Sequence, residues 1–535
     1  RVAPRTETEE IVAAIWSEAL EVPLVGVHDH FFELGGHSLR AMMVVSRLRK
    51  ALGKSVPVRL LFENPVLESF CAVLQQARLD DGSEATQPIV KTPRVDPLPA
   101  SSFQERVWFN YMHRKEGAAV NHYMPFRLRG HLNVPALERS LTEIIRRHEV
   151  LRTRVRMEED SAVQVIAPAV PLQLEIIPMK VVPAQSEELL NWITQIVQTS
   201  LDEGTGPLVR FVLVRWSPVA HLFLIVFHPL AYDASVRRIL FRELELLYAA
   251  NSEDRQLSLP EPALQYADLA MWQRRWLLQE SPARRMLVDF WTRRLEGDLR
   301  PVALPFARSS PVPACPEKGI AGVTLHRATV SNMARFAREQ GATQFMFLLA
   351  CAKVILHLRT GQTDILVGTY FAGVSRPELD DVMGPQTNLV TLRTDLSGNP
   401  SFVDVLKRVR EVVLEAQAHQ DLPFEQVCSA LHGMGRPSPP IEAIFMHTHI
   451  ERRLIRLTGV HGCVSRALPQ QVPWGLTFNF VSLDNDSGFL KGRCVFDPNL
   501  YEPTAVRAML EAFPGLIEKM MANALVPLDD LAAVA

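Results

Sequence analysis

Apolar residues recur at helical spacing through Leu39, Met42, Met43, Leu48 and Leu52, so an amphipathic helix begins at or beside Ser38. Ile11 to Leu20 predicts an earlier helix, and Leu61-Phe62-Glu63-Asn64-Pro65 follows the long one. Past Gln76 the periodicity stops, and Leu79 to Pro88 gains polar and breaker residues, the composition of a linker. Further on, strand-like runs at Leu172 to Ile177, Val209 to Val214 and His221 to Phe227 alternate with helical stretches at Val134 to Arg147, Glu187 to Thr199 and Val236 to Ala249. A second set places helices near Val330 to Gln340, Phe345 to Arg359 and Phe402 to Gln417, with strands at Asp364 to Thr369, Ala443 to His449 and Gly475 to Val481. The pattern divides the chain into an all-α unit at 1–76, a linker at 77–96 and two α/β lobes at 97–270 and 271–535. No short-period repeat is present, which excludes a solenoid.

Composition narrows the classes. A length of 535 residues suits two or three domains, and 47% hydrophobic with 22% charged residues is ordinary globular material. The formal charge of -2 and the absence of a basic block argue against nucleic acid or an anionic membrane as partner. Six cysteines lie scattered without a C-x-x-C pair, which suits reduced thiols and a cytoplasmic protein. No apolar run reaches about 18 residues and no signal peptide opens the chain, so neither a membrane span nor secretion is expected. The first residue is Arg1 rather than methionine, as expected of a segment of a longer chain.

The candidate chemistry starts at Phe31-Phe32-Glu33-Leu34-Gly35-Gly36-His37-Ser38-Leu39. Two glycines before Ser38 let another protein approach the backbone, so this serine is placed to be modified; an N-cap serine would occupy the same position. A hydrolase nucleophile elbow fits poorly, because the second glycine of G-x-S-x-G is missing. Together with the Ile11 to Leu20 helix, Asp29-His30 and the Leu61 to Pro65 tract, the unit resembles a peptidyl carrier protein of a non-ribosomal peptide synthetase. That resemblance implies a four-helix bundle in which Ser38 carries a 4'-phosphopantetheine arm, attached by a phosphopantetheinyl transferase and holding an aminoacyl or peptidyl thioester.

The larger region resembles the condensation domain of the same synthetases through several tracts in order: Ser102 to Phe109, Arg147-His148-Glu149-Val150-Leu151-Arg152-Thr153, Tyr266 to Gln273, a looser Gly384-Pro385-Gln386-Thr387-Asn388, and His419-Gln420-Asp421-Leu422-Pro423-Phe424-Glu425. The resemblance implies two lobes like chloramphenicol acetyltransferase, set in a V with a tunnel at their junction. The family signature H-H-x-x-x-D-G here reads His228-Pro229-Leu230-Ala231-Tyr232-Asp233-Ala234. In the family the second histidine serves the attacking amine, while the first histidine and the aspartate are structural. Proline has neither imidazole nor N–H and cannot take that role at 229. His228 is a candidate replacement, although strand alternation points it away from the neighbouring position. Asp233 is expected in a buried ion pair, with Arg152 as partner, and Ala234 adds a Cβ that crowds the tunnel or alters the turn. Arg147 and Arg152 are expected to be structural.

These departures match degenerate relatives: the X-domain of glycopeptide synthetases, which recruits haem monooxygenases, and interface domains, which recruit non-haem iron β-hydroxylases. The expected function is a condensation-inactive platform that holds a trans-acting tailoring oxygenase near the group on Ser38. The alternative is an active condensation domain using that group as donor, since positioning alone supplies roughly 7 to 11 kcal/mol against about 10² to 10⁴ in rate from a general base. Adenylation domains and a downstream carrier are the other implied partners. Arg237 stands where epimerisation domains place tryptophan, and heterocyclisation domains have a second aspartate that is missing here. His447 and His449 share a strand face without a third ligand, so no metal is expected. Arg274 and Arg275 read as a solvated helix face.

Overall fold

The computed structural model describes residues 2–36, 38–53, 56–76, 88–95, 97–112, 121–158, 161–179, 187–199, 201, 207–307, 319–371, 376–450, 455–464, 474–483 and 488–533. Four helices occupy the first unit: α1 (Glu7–Leu20), α2 (Ser38–Leu52), α3 (Val58–Glu63) and α4 (Leu67–Gln76). The first begins earlier than its apolar spacing suggests because Thr6 and Glu9 form a reciprocal capping box over its opening turn. Val12, Trp16, Phe31, Val44, Leu48, Leu61 and Phe70 fill the space between them with no exposed surface. Most of the expected linker lies outside the described residues. Its described end is tied down, for Thr92 N–H donates to Asp268 Oδ1 at 2.7 Å.

The next stretch contains β1 (Leu98–Pro99), α5 (Ser102–Met112), β2 (His122–Gly130), α6 (Val134–Arg147), β3 (Thr153–Glu158), β4 (Ser161–Ile166), β5 (Glu175–Pro178), α7 (Glu187–Gln198), β6 (Val209–Ser217), β7 (Ala220–Phe227) and α8 (Ala234–Ser252). The strand expected from Leu172 starts only at Glu175. Leu172 and Leu174 give their N–H groups to Thr142 and Glu138 of α6 instead of to a sheet. Alternation along β2, β6 and β7 sends Phe126, Phe211, Phe223 and Phe227 to the side covered by α6 and α8, and Val212, Leu222 and Val226 to the side covered by α7.

The remainder contains α9 (Tyr266–Leu278), α10 (Pro282–Arg294), β8 (Gly319–Leu325), α11 (Arg327–Glu339), α12 (Gln344–Thr360), β9 (Asp364–Phe371), β10 (Asn388–Asp395), α13 (Phe402–Ala418), α14 (Phe424–Gly433), β11 (Ala443–Ile450), β12 (Arg456–Leu457), β13 (Val460–Val464), β14 (Leu476–Leu483), β15 (Leu490–Phe496), α15 (Pro503–Glu511), α16 (Phe513–Ala522) and α17 (Leu528–Ala533). Among the described residues one six-stranded sheet has the order β10-β9-β11-β14-β15-β8 and the other β12-β13-β2-β7-β6-β5, beside a small sheet β1-β4-β3. The second half of the chain thus returns two strands to the sheet of the first half, with Val460 paired to Gly130 and Cys463 to Arg127. Inside the other sheet Lys353 of α12 is fully buried and spends its ammonium on Ile365 O, Leu392 O and Thr394 Oγ1. Burial there pushes its pKa well below the usual lysine range. No single helix among the described residues is long and apolar enough to cross a membrane.

Candidate functional site

In the first unit α2 starts at Ser38, directly after a turn that hugs the core. Gly36 N–H donates to Phe31 O at 3.0 Å, and a Cβ on Gly36 would come within 2.4 Å of the Phe31 ring. Gly35 has φ +92, a conformation that side chains resist. The glycines therefore let the loop lie flat on Phe31 and deliver Ser38 to a helix N-terminus, where orphan N–H groups favour an attached phosphate. The residues present fit a phosphopantetheine arm on Ser38.

In the second region the matching tracts fasten one another around a narrow cleft lined by Ser101, Arg106, Tyr266, Gln386, Asn388 and Glu425. Ser101 Oγ lies 2.7 Å from Tyr266 Oη, and Ser102 N–H donates to Gln273 at 3.0 Å, joining the first tract to the fourth. Asp268, fully buried, receives both Arg94 nitrogens at 2.7 and 3.0 Å, while Arg94 also reaches Glu149 of the second tract. Asn388 donates to the carbonyls of Gln420 and Leu422 and accepts the Phe424 N–H, tying the fifth tract to the sixth. Arg106 of α5 reaches Glu425 at 3.0 Å, closing the ring. Gly384 has φ +148, and a Cβ there would meet the Tyr266 ring at 2.4 Å. Gly384→Ala should therefore cost about 1–3 kcal/mol, because backbone strain adds to overpacking against a buried ring; a urea unfolding midpoint equal to that of the parent chain would contradict this.

The signature tract lies between β7 and α8. His228 is fully buried, and its Nδ1 accepts the N–H of Leu230 at 3.1 Å. Pro229 opens a short 3-10 turn, Pro229–Ala231, and is half-buried. Asp233 does not pair with Arg152. Its Oδ1 accepts from the backbone N–H and hydroxyl of Ser235, and its Oδ2 accepts from Gln386 N–H at 2.6 Å. Capping α8 and binding a backbone N–H across the cleft satisfy the carboxylate without a cation, and burial pushes its pKa up. Ala234 is the first residue of α8.

Arg152 instead caps the carbonyls of Ala167 and Arg146. Arg147 is buried and donates to both oxygens of Glu243 and to the carbonyls of Leu259 and Pro260. His148 lies 2.9 Å from the same carboxylate, which these neighbours hold down at a pKa of about 2 despite its burial. Glu243 carries no motif signal, since only the folded helix pair brings it under Arg147. Another residue the sequence did not single out is His122, whose ring stacks on Tyr232 with centroids 4.6 Å apart. His447 bonds Ser482, the His449 side chain lies outside the described residues, and no metal-ligand cluster occurs among those described. Arg275 is exposed as expected, whereas Arg274 turns inward to Ala100 O and Glu105.

Two mixed sheets joined around a fastened cleft, preceded by a helical unit with a serine at a helix mouth, define a carrier-and-condensation class of protein. The chain belongs to the condensation domain family, whose model matches residues 95–535, and residues 10–74 match the phosphopantetheine attachment site family. Its cofactor is accordingly 4'-phosphopantetheine, and its domain order is that of non-ribosomal peptide synthetases. One component of the linear gramicidin synthase of Brevibacillus parabrevis is 33% identical over 98% of this chain, and a second component of the same synthase is 36% identical over 86%. The chain spans only 7% and 9% of those relatives. Among solved structures, the complex of the X-domain and OxyB from teicoplanin biosynthesis matches with a TM-score of 0.74 at 25% identity, covering 83% of this chain and 98% of that one.

Proposed function

We propose that residues 1–76 are a carrier domain loaded at Ser38, that residues 77–96 link it onward, and that residues 97–270 and 271–535 are the lobes of a V-shaped, chloramphenicol acetyltransferase-like domain that does not condense. That domain instead holds a trans-acting tailoring enzyme, of the oxygenase or β-hydroxylase kind, beside the group on Ser38. When attached, the arm supplies a thiol that holds the aminoacyl or peptidyl group. A phosphopantetheinyl transferase, adenylation domains and a downstream carrier complete the partners. One observation carries the reading: Pro229 occupies the position where amine attack needs a nitrogen base, and the adjacent His228 is buried with its acceptor nitrogen already used. The likeness to an X-domain solved in complex with OxyB supports recruitment of a second protein.

A second reading, an active condensation domain with the Ser38-bound group as donor, draws on His122, an imidazole stacked on the signature tract. Both are tested by loading Ser38 with an aminoacyl-phosphopantetheine arm, adding a downstream aminoacyl carrier and following both proteins by intact mass. The expected result is no transfer above the spontaneous rate. Transfer at a useful rate would overturn the platform reading, and its loss in His122→Ala would establish the second. Pro229→His alongside measures whether the remaining fold still supports a base worth about 10² to 10⁴.

A further inference from the structure

The segment from Arg376 to Asn388 leads into β10 in the second half of the chain, yet Leu379, Val382 and Met383 are buried in the core of the first half with Val236 and Leu240. Its inner end closes on the signature: Gln386 N–H donates to Asp233, and Ser235 Oγ, whose proton goes to Asp233, lies 3.2 Å from Gly384 O. Its middle is pinned to α8, where Arg238 bonds the Asp380 carbonyl and Arg242 pairs with Asp381 at 2.8 Å. The carrier stands against the outer side of the same segment. Arg47 of α2 pairs with Glu18 of α1 at 3.1 Å and lies 3.7 Å from the Asp380 carboxylate. Arg59 of α3 pairs with Glu411 of α13. Carrier arginines thus meet acids of the condensation-type domain at two points, both on helices away from the Ser38 end.

We propose that the Arg376–Asn388 segment is a clamp between the lobes whose outer edge is the carrier's seat, so that carrier seating and closure on Asp233 are one coupled event. Asp233 is then a positioning residue, retained beside a proline because it holds the clamp. The ion pairs are surface pairs worth little singly, but the carrier is tethered to its seat, so each acts at high effective concentration. This inference does not depend on whether the domain condenses.

The test is amide hydrogen exchange of the full chain, read by mass spectrometry. Asp380→Asn leaves the Asp380 carbonyl and its bond from Arg238 in place and removes the charge that faces Arg47 and, beside it, Arg238. It should speed exchange across residues 379–388 by up to about five-fold, the range for one exposed pair. Arg47→Gln, which also breaks the 3.1 Å pair with Glu18 of α1, should speed exchange there as well, and the double variant should fall short of the product of the two single effects, because the Arg47–Asp380 pair is lost in each. Coupling is reciprocal, so Asp233→Asn should speed exchange in α2 and α3 by a similar factor, with Ser235→Ala as the milder variant if Asp233→Asn does not fold. Unchanged exchange at 379–388 in both single variants, or in the carrier helices when Asp233 or Ser235 is altered, would overturn the coupling.

Discussion

Ser38→Ala should abolish attachment of the phosphopantetheine arm outright, with intact mass unchanged after incubation with coenzyme A and a phosphopantetheinyl transferase, while the parent chain gains one arm. The expectation rests on the match of residues 10–74 to an attachment-site family and on the start of α2 at Ser38. Alanine is the best helix former and keeps the helix start, so a change in helix stability cannot mimic complete loss of labelling. Gly36→Ala separates site from scaffold. Its Cβ would strike both the Phe31 ring and the Phe31 carbonyl, so the loop must lift from the core and labelling should slow while Ser38 remains. Full labelling of Ser38→Ala would move the attachment point elsewhere.

Glu243→Ala should destabilise the condensation-type domain by about 3–5 kcal/mol, because it leaves the buried Arg147 guanidinium with only the exposed Glu261 carboxylate, 3.9 Å away, and strips His148 of its partner. Arg147 is 3% exposed at its side chain, so water cannot replace the lost carboxylate. The pH dependence has a definite sign. A carboxyl group held at about 2 when folded and near 4.5 when unfolded adds stability that is complete above pH 4.5 and is lost as pH falls towards 2. Urea midpoints of the parent and Glu243→Gln should therefore differ most at neutral pH and converge across that window. A difference that stays constant with pH would show that the site acts by packing rather than charge.

The family tracts gave their positions away in sequence but not their purpose. Asp268, Asn388, Gln386 and Arg106 each carry a hydrogen-bonding group whose partner lies more than 30 residues away, and no local pattern states which tract it will meet. The Asp233 outcome shows the limit. A buried carboxylate needs partners, which is legible from the residue type, but a backbone N–H from Gln386 and a cap on its own helix serve as well as an arginine. Leu172 to Leu174 illustrates the same point for a strand: the apolar alternation is there, yet side chains of α6 capture the backbone N–H groups first.

Local features follow from the order of residues. Spacing of apolar positions sets the helices of the carrier and the alternation of the strands, the two glycines fix the turn before Ser38, and Pro229 removes an imidazole that no fold could restore. Folding in three dimensions is what returns β12 and β13 to the first sheet, neutralises Arg147 with Glu243, stacks His122 on Tyr232, and rests Arg47 of the carrier on the segment holding Asp233. Periodicity is written in residues a few positions apart and survives in one dimension. Ion pairs, buried hydrogen bonds and strand partners join residues far apart in the chain, and their identity follows from which surfaces the packed core leaves facing one another.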